Sequence, residues 1–165
     1  MRDELKLRFT GVADLKPQVL RAKELAEIIV NFEAAIVATV VDQDPSIKRE
    51  QIAVPLVAVL DESVGLVFAP NLPELTYRAA FRIVDAFATQ QFQHLPQQAL
   101  APLRSLVRFV RSRGCVAELS IARAQRSATI EITPATRIET SIPIEGETVL
   151  FGEVVRVGGI EPKLS

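Results

Sequence analysis

An α+β fold is predicted for this chain, and three features of the sequence carry the prediction. A long amphipathic helix follows an alternating first strand. Two further helices lie between Asn71 and Gly114, and beyond Cys115 the apolar period changes from that of helices to that of strands. The expected order is β-α-β-β-α-α and then a β-rich C-terminal segment, with the helices packed on a mixed or antiparallel sheet. At 165 residues and 48% hydrophobic content the chain has enough apolar surface for one real core. The expected division is an α+β core over residues 1–133 and a β-rich segment over 134–165.

The elements follow in order. Leu5, Leu7 and Phe9 alternate with Lys6 and Arg8, giving an opening strand with one wet face that Gly11 ends. A helix from about Gln18 to Val41 places Leu25, Ile28, Ile29, Phe32, Ile36 and Val40 on one side, opposite Lys23, Glu24, Glu27 and Asn31. Ile52–Leu60 and Val64–Ala69 are apolar runs separated by a polar turn, and they predict a hairpin buried on both faces. Pro55 lies inside the first run, so that strand is expected at an edge or at a bulge.

Asn71 is the expected N-cap of the next helix, with Pro73 in its first turn and Glu74 three residues after the cap. Arg78, Arg82, Asp85 and Thr89 form one polar strip on it. Tyr77, Phe81, Ile83, Val84, Phe87 and Phe92 point elsewhere, as a helix packed between other elements would have them. A break at His94-Leu-Pro96 leads to a helix over Pro102–Arg113, which Gly114 stops. Cys115, Ala117, Leu119 and Ile121 then alternate along a strand, and Arg123-Ala-Gln-Arg-Ser makes a turn before Thr129–Thr133 returns. A further strand pair, Ser141–Ile144 and Thr148–Val157, brackets Glu145-Gly-Glu.

Gly152-Glu-Val-Val-Arg-Val-Gly-Gly159 resembles the "GEVxRVGG" strand of a loosely defined set of uncharacterised bacterial proteins. Those proteins share a long helix, an apolar hairpin and a helix pair, and continue into further strands. The resemblance implies a bacterial cytosolic protein and brings no activity or functional residue with it. It also implies that the C-terminal segment is the start of a small β-barrel, truncated or completed by a partner.

The chemistry available is narrow. His94, the single histidine, sits in a Gln-rich break with no nucleophile near it in sequence, and a spacer role is expected. Cys115, the single cysteine, excludes an internal disulfide and is expected to be a buried structural thiol. Two such residues are too few for a Cys/His metal site. Gly158-Gly159 has no helix after it to make a phosphate loop, and Glu145 and Glu147 are expected to face solvent at a turn. No catalytic residue, metal or cofactor is therefore assigned.

Charge is segregated instead. Between Ala101 and Ile130 six arginines face one acid, Glu118, a local net of +5; between Glu131 and Glu153 five glutamates face Arg137, a local net of −4. Arg104, Arg108, Arg111, Arg123 and Arg126 are the candidate residues for binding nucleic acid or another anion. Pairing of these arginines with the protein's own acidic strands is the stronger expectation, because charged stripes beside apolar faces are common. Nineteen basic and twenty acidic residues give no whole-protein signature for nucleic acid.

The expected function is thus non-enzymatic: a protein-interaction or regulatory subunit of a multi-protein system, or a homo-oligomer, docking through an open edge of the C-terminal sheet. Nucleic-acid binding through the arginines is the alternative. No signal peptide or membrane-spanning segment is visible, and a cytoplasmic location is expected.

Overall fold

The computed structural model describes residues 3–11, 20–61 and 63–139. The expected strands at Ser141–Ile144 and Thr148–Val157, the Gly152–Gly159 segment, Glu145 and Glu147 lie outside the described residues.

The five strands are β1 (Glu4–Thr10), β2 (Leu56–Leu60), β3 (Val64–Phe68), β4 (Val116–Arg123) and β5 (Arg126–Ile132); the helices are α1 (Ala22–Gln43), α2 (Pro73–Thr89) and α3 (Gln97–Arg113). All strand pairs are antiparallel, in the order β2-β3-β1-β4-β5. The first strand in sequence is therefore the middle strand of the sheet. The α+β class and the order of these elements are as the periodicity predicts.

Register explains which face is buried. Leu7 stands between Leu66 and Leu119, and Phe9 between Val64 and Ala117, so one apolar face runs across three strands. All six side chains are buried. The residues between them, Lys6 and Arg8 beside Ser120 and Glu118, form the wetter face.

The helices cover the apolar face. α1 packs against both α2 and α3, while α2 also lies on β4 and β5. Phe32 of α1 meets Phe68 of β3 at 4.8 Å between ring centroids, and Phe109 of α3 meets Phe9 of β1 edge-on at 5.2 Å. The apolar residues predicted for α2 are all buried, and Arg78, Asp85 and Thr89 of the predicted strip are exposed.

Three local expectations are corrected. Asn71 is not the N-cap of α2; Leu72 holds that position. The Asn71 amide instead accepts from the Ala53 N–H and donates to the Gln51 carbonyl, both at 2.9 Å, tying the end of the hairpin together. A short polar side chain can cap a helix or tie a loop, and here the Asn71 amide does the second.

α3 begins at Gln97 rather than Pro102. A proline inside a helix removes one backbone donor, but Ala99, Leu100 and Leu103 on either side of Pro102 are buried. Tertiary packing outweighs that single lost bond. The break before α3 is a short 3-10 turn, Phe92–His94, with Phe92 buried edge-on against Phe87.

The third correction concerns the hairpin. β3 is buried as expected, but β2 is not: Val57 is 58% exposed, and Val59 and Leu60 are each 42% exposed. β2 is the edge strand, with a register shift between Leu56 and Ala58, as Pro55 just before it foreshadows. On the wetter face the Leu60 side chain folds over Gly65, where a Cβ would come within 3.1 Å of it.

Candidate functional site

The five candidate arginines separate into two groups. Arg123 and Arg126 flank the two-residue turn between β4 and β5 and lean on α2. Arg123 pairs with Asp3 at 2.9 Å and lies over the Tyr77 ring at 5.3 Å. Arg126 pairs with Asp85 at 3.2 Å and lies over Phe81 at 4.0 Å. Each guanidinium thus has a carboxylate on one side and an aromatic face beneath it. The Tyr77 hydroxyl is pushed up in pKa by burial first, then by the nearby Asp3 carboxylate, with Arg123 opposing.

Arg104, Arg108 and Arg111 share one face of α3, as their spacing requires. That face holds the chain segment that follows β5. Arg111 donates from Nε to the Pro134 carbonyl at 3.2 Å and from Nη2 to the Thr136 carbonyl at 3.0 Å. Arg104 donates from Nε and Nη2 to the Ile138 carbonyl at 3.4 Å. The segment turns at Pro134–Ala135, where the Thr136 N–H donates to the Thr133 carbonyl, and its carbonyls at 134, 136 and 138 meet two arginines of α3. Ile138 is buried and joins the main core. Arg108 is exposed and donates to Ser105 Oγ at 2.9 Å.

The expected partners of these arginines were the acidic strands. Among the described residues, the carboxylates that pair with candidate arginines are Asp3 and Asp85, neither of which belongs to the Glu131–Glu153 stretch. Sequence reasoning also passed over Arg137. It donates from Nη1 to the same Pro134 and Thr136 carbonyls that Arg111 uses, each at 3.1 Å. No periodicity links Arg137 to α3; only the tertiary path of the chain does.

Arg113, on the same helix, behaves differently again. It forms a two-oxygen pair with the Glu24 carboxylate and so joins the end of α3 to the start of α1. Arg113, and then the Arg21 backbone N–H, hold the Glu24 carboxyl below the usual carboxylate range.

The single histidine and the single cysteine lie beyond opposite ends of α3. Cys115 is buried at the end of α3, and burial pushes its thiol up, against a smaller opposing pull from Arg113. His94 is exposed on the 3-10 turn, where its backbone carbonyl accepts from Arg82 at 2.7 Å. Among the described residues no group of three or more His, Cys, Asp or Glu side chains gathers as a metal site would need. Nor, among the described residues, is any helix long and apolar enough to cross a membrane.

The remaining surface feature is the β2 edge. Leu56-Val-Ala-Val-Leu60 contains no charged residue or proline, and its outer row of backbone groups faces away from β3. Natural edge strands are ordinarily blunted by a lysine, a proline, a bulge or a covering loop, and of these β2 carries only the register irregularity between Leu56 and Ala58. Here Pro55 and Asp61 flank the strand without interrupting it. The sequence signal was available as an uncharged apolar run next to a proline. Its exposure was not, because a doubly buried strand reads the same way.

No protein-family model, curated protein or solved structure matches this chain.

Proposed function

We propose that this chain is a non-enzymatic protein-interaction module whose docking element is the edge strand β2, and that it associates through that strand with a second copy of itself. The observation that supports this reading is the exposed, uncharged β2 edge, with Val57, Val59 and Leu60 open to solvent. Added strands gain affinity from main-chain hydrogen bonds and specificity from alternate side chains.

The strand sequence Leu56-Val57-Ala58-Val59-Leu60 reads the same in both directions. In an antiparallel self-pair centred on Ala58, Leu56 stands opposite Leu60 and Val57 opposite Val59. Every cross-strand pair is then apolar, and no like charges meet. Such a contact is isologous and closes as a two-fold dimer. Separation of the candidate arginines into two groups, one already paired with Asp3 and Asp85, favours this reading over nucleic-acid binding along a single basic track.

Sedimentation or light scattering on the full chain tests the proposal. A dimer is expected at a loading on the order of 100 μM, where a micromolar Kd is well populated. The V57K/V59K double variant is expected to be a monomer, with a thermal midpoint close to the wild type's when both are measured at a dilution where the wild type is monomeric, since Val57 is 58% and Val59 42% exposed. A wild-type monomer at that concentration, or a dimer that V57K/V59K leaves intact, would overturn the reading.

A further inference from the structure

A second surface, distant in character from β2, gathers four arginines that form no salt bridge among the described residues, with Glu139 the neighbouring carboxylate beside Arg137. A cavity of about 230 Å³ is lined by Arg104, Val107, Arg108, Arg111, Arg137 and Ile138. Among the described residues none of these four arginines has a carboxylate partner, whereas Arg82, Arg113, Arg123 and Arg126 each have one. Arg111 and Arg137 use the same two carbonyl acceptors, which holds donor nitrogens of the two guanidinium groups within about 6 Å of each other. That separation is inside the Debye length of roughly 8 Å at physiological salt, so their repulsion is felt.

Carbonyl oxygens orient a guanidinium without neutralising it. Arg104 and Arg111 are steered by the 134–138 backbone, and each retains N–H groups that these bonds do not use. Arg108 adds an exposed guanidinium one helical turn from each. The arrangement is a set of forked donors held in place before any ligand arrives, which lowers the ordering cost of binding. We infer that this cavity between α3 and the 134–138 segment is an oxyanion site that takes the phosphate group of a small phosphate-bearing ligand. Guanidinium forks match phosphate oxygens two at a time. The volume falls below the 300–1,000 Å³ usual for whole drug-sized ligands, so the site fits the phosphate end of a molecule.

The test uses the full chain and inorganic phosphate, with sodium chloride at matched ionic strength as the control. Phosphate is expected to bind saturably by calorimetry and to raise the thermal midpoint, and chloride to do neither. Arg108→Gln, whose side chain holds only Ser105, should weaken phosphate binding about tenfold or more, the loss of one charge-assisted hydrogen bond. Arg137→Gln should do the same, and Arg126→Gln should leave phosphate binding unchanged. An equal response to chloride, or to phosphate in Arg108→Gln and Arg137→Gln, would overturn the assignment. So would phosphate binding that emerges only after Glu139, Glu145 and Glu147 are changed to glutamine, since the protein's own carboxylates would then hold the site. Binding of a single-stranded oligonucleotide without any response to inorganic phosphate would overturn it in favour of an extended nucleic-acid contact.

Discussion

Gln90 closes α2 in the left-handed conformation, at φ 59°, where Gly114 closes α3 at φ 63°. The same backbone task is performed by a residue with a Cβ in one case and without in the other. Left-handed φ is costly for an L side chain and nearly free for glycine. Gln90 recovers part of that cost through its Nε2 donor to the Phe87 carbonyl at 3.0 Å. Gln90→Gly is nonetheless expected to raise stability by about 0.5–1 kcal/mol, read as a higher urea midpoint at unchanged slope. A lower midpoint would mean that the Phe87 bond outweighs the backbone strain. Gly114 was legible as a stop because glycine announces it; Gln90 carries no such mark, and nothing in Thr89-Gln-Gln-Phe fixes which residue turns. The Cys115 expectation was legible for the opposite reason, since alternation with Ala117, Leu119 and Ile121 already placed the thiol on the apolar face.

α1 shows how far periodicity reaches at the scale of an element. Ile36 is fully buried and Val30 is 62% exposed, although both are β-branched apolar residues on one helix. Ile36→Ala is expected to cost about 2–5 kcal/mol through lost burial and a cavity. Val30→Ala should change stability by no more than about 0.5 kcal/mol, because it removes little buried surface and alanine is the better helix former. Chemical denaturation of the pair decides the matter, and equal losses would mean that Val30 is covered in solution. The strand hairpin was less legible than the helix. β2 and β3 are both apolar runs, yet one is buried by neighbours on both sides and the other ends the sheet.

At the scale of the whole molecule, contacts distant in sequence hold the layers in place. Arg113 and Glu24 are 89 residues apart and join α3 to α1. The folded-state pKa of Glu24 is depressed below its ordinary 4.5. A depressed carboxylate stabilises the fold above its unfolded pKa, and that contribution is lost as pH falls through the folded value. Stability should therefore drop as the solution is acidified below about pH 4.5. Glu24→Gln should show a shallower drop there and a lower midpoint at neutral pH. An unchanged acid limb in Glu24→Gln would remove this pair from the account of acid stability.

The sequence by itself determined the class of the fold, the order of its elements and most of what each buries. A period of 3.6 or 2 is a property of one element and survives without knowledge of its neighbours. The tertiary structure decided which elements lie side by side: β1 in the middle of the sheet, β2 at its edge, and the 134–138 backbone along α3. It also decided the fate of the arginines, drawing Arg123 and Arg126 to Asp3 and Asp85 and bringing Arg137 to Arg111. Charge along the chain reports which side chains are cations. For Arg104, Arg111, Arg123 and Arg126, whether the partner is a carboxylate or a carbonyl depends on chain segments 23 or more residues away, and no local pattern encodes that choice.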